Sequence, residues 1–232
     1  MSKTLTVEIW SDLICPMCWM GKRRFERALA AFPHGDRVHV VHRAFRLQPG
    51  ALPPQPVEQM MARRFGSAAD VSTMLKGVEQ AAAGEGLTYH LSGTLVGDTL
   101  DAHRLMQLAA AKGVQAQAIE RFYRAYFTEG LSLFDRETQL RLAKEAGLDR
   151  AAAAAVLDGD AYLAEVEADQ RRAQALGANG VPFFLIGGRL AVTGAQPSET
   201  FLAALTKAWD ATPAPVPQAG AAEICGPDGC PL

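Results

Sequence analysis

Residues 11–32 read SDLICPMCWMGKRRFERALAAF, and the meaning of Cys15 and Cys18 within them decides how the rest of the chain is read. The two cysteines stand three apart, where a strand-like run gives way to a helix-like one. Upstream, residues 4–10 (TLTVEIW) alternate and carry Val7, Ile9 and Trp10, the pattern of a strand. Downstream, Cys18, Gly21, Phe25, Ala28, Leu29 and Phe32 recur at steps of three and four, with Lys22, Arg23, Glu26 and Arg27 on the opposite side. That is an amphipathic helix, stopped by Pro33 and Gly35. Pro16 suits its first turn, where a missing N–H costs nothing.

On such a helix the Cβ atoms of Cys15 and Cys18 lie about 5–6 Å apart, within reach of a disulfide. Cys15 falls at the helix mouth, where free backbone N–H groups and the macrodipole stabilise a thiolate. Cys18 falls on the apolar stripe and is expected to be partly buried. An exposed attacking thiol backed by a shielded resolving thiol is what disulfide exchange needs. Lys22, Arg23 and Arg24 read either as positive potential beside the thiols or as a solvated face. Inert core cysteines fit this spacing poorly. A zinc site would need two more ligands, for which Cys225 and Cys230 are the available pair.

Composition narrows the field. Hydrophobic residues make up 49% of the 232, too many for a disordered chain, yet no apolar run approaches the ~20 residues of a membrane span. A formal charge of −2 gives no reason to expect nucleic acid or an anionic membrane as partner. The opening MSKTLTVEIWSD lacks the features of a signal peptide, so the expected location is the cytoplasm. There, cysteines in close pairs are more often redox-active or metal-binding than stabilising.

A second strand follows at residues 38–46 (VHVVHRAFR), and the β-α-β opening favours two parallel strands with a right-handed crossover. After the proline-rich LQPGALPPQP comes a long helical region over about 57–178. Ser67, Asp98 and Asp149 read as N-caps there, and Gly113, Gly130 and Gly147 as stops. VEQMMARRF, TLDAHRLMQLAAAK, AQAIERFYRAYF, RETQLRLAKEA and YLAEVEADQRRAQAL each suit a helix, and EGLTYHLSGTLVG a loop or short extended piece. Strand signals return at PFFLIGGRLAVTGA, where Gly187-Gly188 marks a hairpin, and PSETFLAALTKAWD is a last helix. The order predicts a mixed four-stranded α/β sheet whose halves are separated by a helical insertion.

The remaining segment, TPAPVPQAGAAE, has the composition of a tether and ends in ICGPDGCPL. Cysteines five apart on a helix would be about 140° and ~7.5 Å out of register. Cys225 and Cys230 therefore pair only through a turn, for which Gly226-Pro227-Asp228-Gly229 is suited.

Taken together, the strand running into CPMC, the helix after it and the late Gly-Val-Pro before a hairpin resemble the thioredoxin fold, and the helical insertion resembles its DsbA branch. VEIWSDLICPMCWMGKRRFERAL, TLDAHRLMQLAA, FYRAYFTEG, LAKEAGLD and GVPFFLIGGRLAVTGAQPSETFLAAL are similar to the cytosolic FrnE-like members of that branch. So is the C-terminal Cys-x4-Cys pair. The resemblance implies four parts: residues 1–50 as the first half of the thioredoxin fold, 51–178 as the insertion, 179–211 as the second half, and 212–232 as the tail. It implies a protein-disulfide reductase or isomerase in which Cys15 is the nucleophile, Cys18 the resolving thiol and Val181-Pro182 a cis-proline loop facing them. Met17, Trp19 and Val181 would border the substrate, and Cys225 and Cys230 would form a second redox pair. Met17 stands where many relatives carry an aromatic residue. No cofactor or metal is implied. The partners implied are proteins bearing disulfides or thiols, with glutathione or a reductase as electron donor, and the assembly a monomer or homodimer. Oxidative-stress defence follows from compartment and resemblance alone. Glu8 reads equally as a buried acid shuttling the proton of Cys18 or as a solvated strand carboxylate. His103 reads as a packed or surface helix residue before it reads as a site residue. The alternative enzyme class on this architecture is the glutathione-dependent kappa-type transferase or 2-hydroxychromene-2-carboxylate isomerase, which usually carries serine at the first cysteine position.

Overall fold

The computed structural model describes residues 3–51, 53–65 and 67–212; Cys225 and Cys230 lie outside them. Strand β1 (Leu5–Ser11) leads into helix α1 (Pro16–Ala31), a 3-10 turn at Gly35–Arg37 and strand β2 (Val38–Ala44). The two strands pair in parallel, from Leu5 opposite Val38 to Ser11 opposite Ala44. Then come β3 (Gln55–Pro56), α2 (Val57–Phe65), α3 (Ala68–Ala83) and β4 (Leu95–Val96), with β3 and β4 forming a small antiparallel ribbon. Helices α4 (Leu100–Ala111), α5 (Gln115–Tyr123), α6 (Arg136–Glu145), α7 (Arg150–Asp158) and α8 (Leu163–Ala175) follow. Strands β5 (Phe183–Ile186) and β6 (Leu190–Thr193) and helix α9 (Ser198–Ala211) complete the described chain. The main sheet has the order β2-β1-β5-β6, with β5 antiparallel to β1 and β6 antiparallel to β5. This is the mixed four-stranded sheet that the order of elements implied. Gly187 and Gly188, with φ of 61° and 68°, turn the β5–β6 hairpin in the left-handed region that its tight turn requires.

Local chemistry places most helix starts. Ser67 accepts from the Asp70 N–H and Asp149 from the Ala152 N–H, as N-caps do. Asp98 departs from expectation. Thr99 occupies the N-cap position of α4, while Asp98 accepts from Leu100 N–H (3.1 Å) and Gly50 N–H (2.6 Å) and pairs with Arg46. The stretch read as one helix over AQAIERFYRAYF instead ends α5 at Tyr123 and widens into a π-helical turn, Arg124–Thr128. The widening brings Phe127 against Tyr89, ring centroids 4.6 Å apart, and lets Tyr126 donate to the Leu95 carbonyl at 2.9 Å.

Both faces of the sheet are covered. On one, Ile9, Phe184 and Ile186 pack with Phe25 of α1 and Phe201 and Trp209 of α9. On the other, Trp10, Phe183 and Leu185 pack with Phe45 and Ala173 of α8, and the Trp10 indole donates to the Asp169 carbonyl at 2.9 Å. Helix α8, read from sequence as the end of the insertion, is thus a layer of the sheet as well. Its buried Asp169 fastens it, accepting from Ala44 N–H at 3.0 Å, Gln107 at 2.8 Å and Arg43 at 3.2 Å. A third core fills the insertion and takes in Leu13, Ile14, Cys15, Cys18, Trp19 and Met20. The CPMC turn therefore lies at the seam between sheet and insertion.

Candidate active site

Cys15 occupies the N-cap position of α1 with extended backbone (φ −88°, ψ 113°), and Pro16 begins the helix. Its N–H donates to the Asp12 carbonyl at 3.1 Å, and its own carbonyl accepts from Cys18 N–H at 3.0 Å. The Val181–Pro182 bond is cis, and the Val181 carbonyl lies 3.6 Å from Cys15 Sγ. Cys15, Cys18, Val181 and Pro182 thus meet at one place. Pro182 reaches it because α1 has glycine at position 21: a Cβ there would stand 2.8 Å from Pro182 Cγ.

Cys15 and Cys18 are both free, buried thiols. Burial pushes the Cys18 thiol well above its ordinary range, reinforced by the neighbouring Cys15 sulfur and its charge. Cys18 is therefore the thiol kept protonated. The expectation of an exposed Cys15 needs correcting, because the residue is only 6% exposed. The insertion core wraps the mouth of α1, the Val181 carbonyl lies against Cys15 Sγ, and the next-but-one residue, Met17, is 39% exposed.

Trp19, expected to border the substrate, is 3% exposed and belongs to the wall behind the motif. It stacks on Tyr89, Tyr123 and Phe127 at 5.6, 5.8 and 6.0 Å, and its indole donates to Glu120 at 3.2 Å. Tyr89 in turn donates its hydroxyl to the Pro16 carbonyl at 2.9 Å. The cations after the motif are neither free potential nor a solvated face. Lys22 pairs with Glu26 (2.5 Å) and Glu120 (3.0 Å), Arg23 with the same two carboxylates, and Arg24 with Glu85. They rivet α1 to the insertion.

Glu8 is tied to Arg43 at 2.9 Å and Arg172 at 2.7 Å. Burial alone would raise its carboxyl, but hydrogen bonds from Arg172 and Arg43 outweigh that and hold it below the usual range. The buried acid nearest the motif in the chain is Asp12, which the sequence does not single out; its charge adds only slightly to the rise that burial and Cys15 impose on Cys18. A signal for it existed. An aspartate in a turn bonds the N–H two residues on, and Asp12 Oδ1 does accept from Ile14 N–H at 3.4 Å. His103 is a packed helix residue, yet its Nε2 lies 3.2 Å from the Phe45 carbonyl and 3.6 Å from Asp12 Oδ1. Among the described residues, no group of three or more His, Cys, Asp or Glu is arranged to hold a metal ion. No described helix is long and apolar enough to cross a membrane.

A family model, the DSBA-like thioredoxin domain, matches residues 6–206. The chain belongs to the DsbA-like thioredoxin family. A Streptomyces coelicolor protein described as a probable DsbA oxidoreductase, SCO1869, has a crystal structure similar to this DsbA-like chain at a TM-score of 0.88, with 45% identity over 98% of this chain and 99% of that one. The Bacillus subtilis (strain 168) protein YwbO is 23% identical over 204 residues, 88% of this chain and 96% of its own. The fold is shared with the cytosolic disulfide reductase DsbM of Pseudomonas aeruginosa (TM-score 0.59, 17% identity, 88% and 95% covered). It is also shared with a 2-hydroxychromene-2-carboxylate isomerase (TM-score 0.63, 14% identity, 87% and 95% covered).

One further titratable group flanks the DsbA-like helix α1. Burial, with the nearby Lys22 charge, lowers His42 to about 4, and Glu26 only partly offsets this. His42 is thus neutral in the fold, while the unfolded chain takes up its proton near 6.5. Its contribution is intact above about pH 6.5 and is lost as pH falls toward about 4. Urea midpoints measured from pH 7 to 4 are expected to fall across this window, and His42→Gln is expected to flatten the fall.

Proposed function

We propose that this DsbA-like protein is a thiol–disulfide oxidoreductase that reduces or isomerises disulfides of protein substrates through Cys15 and Cys18. The observation that carries the reading is the pairing of Cys15, set at a helix mouth against the Val181–Pro182 loop, with a Cys18 thiol kept protonated behind it. In the first step the Cys15 thiolate attacks a substrate disulfide. A Cys15–substrate S–S bond forms, the substrate's own bond breaks, and one substrate thiolate leaves. Cys18 then loses its proton as its sulfur attacks Cys15. The Cys15–Cys18 disulfide forms and the second substrate sulfur departs, protonated to a thiol. The substrate gains two electrons and the dithiol loses two. If another substrate thiol attacks the mixed disulfide before Cys18 does, the outcome is isomerisation instead.

Resetting the dithiol requires a thiol reductant, and we assign that role to glutathione or a reductase in the cytoplasm. DsbM, described as a cytosolic disulfide reductase and also crystallised with GSH, is the precedent of fold for this choice. The protruding Met17 and the Val181 backbone are the proposed substrate contacts. The rival reading, a kappa-type transferase or chromene-carboxylate isomerase using glutathione, is disfavoured by the second thiol at Cys18, which that chemistry does not use. The reading is tested by insulin reduction and by refolding of scrambled ribonuclease, with retention on glutathione-agarose as the arm that would favour the rival. Wild-type protein inert in the first two assays would end the proposal.

We further assign Cys225 and Cys230 as a second pair that exchanges with the first. Sixteen residue steps separate Trp209 from Cys225, and both cysteines lie outside the described residues. The double variant Cys225→Ser/Cys230→Ser should change the potential or turnover of the Cys15–Cys18 couple severalfold; unchanged kinetics would discard the relay.

A further inference from the structure

Asp12 is 0% exposed, stands three residues ahead of Cys15, and is gripped from three segments of the chain. Its Oδ2 accepts from Leu47 N–H at 2.7 Å, in the segment after β2. Its Oδ1 accepts from the Thr99 hydroxyl at 2.8 Å and Ile14 N–H at 3.4 Å, with His103 Nε2 at 3.6 Å. Thr99 stands at the N-cap position of α4 but makes no side-chain cap. The hydroxyl that would ordinarily close that helix end goes to Asp12. A buried carboxylate with so many donors is compensated for its loss of hydration and held in one orientation.

The backbone of the same residue faces the chemistry. Its carbonyl accepts from Cys15 N–H at 3.1 Å and from the Tyr123 hydroxyl at 3.5 Å. Cys18 is tied to the same turn through its N–H, which donates to the Cys15 carbonyl at 3.0 Å. We propose that Asp12 is a positioning residue for the dithiol, carrying the grip of Thr99 in the insertion and of Leu47 after β2 to the backbone that holds Cys15. The inference rests on the proposed redox role of Cys15 and Cys18. Its consequence is a couple poised by the insertion. A fixed negative charge beside the sulfurs disfavours the ionised dithiol relative to the neutral disulfide, so the couple is more reducing than the motif alone would make it.

Equilibration of the full-length protein with glutathione buffers tests this. Asp12→Asn removes the charge and keeps the two short bonds, because Thr99 Oγ can turn to accept from the new amide while the amide oxygen still faces Leu47 N–H; only the long Ile14 N–H contact at 3.4 Å is lost. It should shift the equilibrium about tenfold toward the dithiol, about 30 mV to the positive side. Thr99→Val keeps the charge and removes the insertion's grip; it should move the same equilibrium at least about threefold, and Thr99→Ser should restore it. Circular dichroism identifies the folded variants, and the Thr99 pair decides the matter if Asp12→Asn does not fold. Folded variants within twofold of wild type would overturn the positioning role while leaving the redox reading intact. A wild-type protein that forms no Cys15–Cys18 disulfide in these buffers would overturn both.

Discussion

Cys15→Ser is expected to bring insulin reduction down to the uncatalysed background, a fall on the order of 10³-fold or more. Serine at this position keeps the N-cap geometry and costs little in packing, so the loss will not come from unfolding. It comes from the chemistry: the exchange nucleophile is a thiolate, and a hydroxyl near neutral pH is neither ionised nor soft enough to open a disulfide. Cys18→Ser should behave differently. The first attack survives, but nothing resolves its product, so the covalent Cys15–substrate adduct accumulates and is read as added mass on non-reducing analysis. Alkylation with iodoacetamide at neutral pH should mark Cys15 before Cys18, since burial and the neighbouring sulfur hold Cys18 as a thiol. Undiminished insulin turnover by Cys15→Ser would remove this nucleophile from consideration.

The second large effect is expected from a residue with no chemistry of its own. In Gly21→Ala the new methyl would fall 2.8 Å from Pro182 Cγ and 3.4 Å from the Ala195 Cβ. Alanine gains up to about 1 kcal/mol of helix propensity over glycine, while overpacking costs about 1–3 kcal/mol. The two nearly offset, so the melting temperature should move by only a few degrees. Activity should not be spared. The displaced Pro182 loop carries with it the Val181 carbonyl that lies 3.6 Å from Cys15 Sγ, and misplacement by an ångström at a reacting centre can cost about 10²-fold. A fall in insulin turnover of about ten- to a hundredfold, with Cys15 still alkylated at its normal rate, is the expected result. Wild-type turnover would show that the contact between α1 and Pro182 does not set the site.

Much of the fold is legible in the sequence. The alternation of residues 4–10, the stripe running from Cys18 to Phe32, the glycine pair at 187–188 and the caps at Ser67 and Asp149 are local patterns, and the structure carries each of them. The errors share one cause. Asp98 was read as a cap because it precedes a helical run, but Arg46, 52 residues away in the chain, takes up its carboxylate. Trp19, which the family resemblance puts beside the substrate, is 3% exposed. An aromatic stack supplied by the insertion encloses it instead. Lys22, Arg23 and Arg24 looked like a charged face because their partners Glu120 and Glu85 are far along the sequence.

The sequence by itself determined that two thiols stand at the mouth of an amphipathic helix after a strand, and that strands return only near the end of the chain. Those features depend on the period of apolar residues and on turn chemistry, which act over a few neighbours. Only the tertiary structure decided that Glu8 is held by Arg43 and Arg172 while Asp12 is buried against Leu47 and Thr99, that α8 closes the second face of the sheet, and that Cys15 is hemmed in by Val181. Each depends on groups between 35 and 166 positions apart meeting within hydrogen-bond distance, as Asp12 meets Leu47 and Cys15 meets Val181. Burial and charge compensation are properties of such meetings, and no local pattern encodes them.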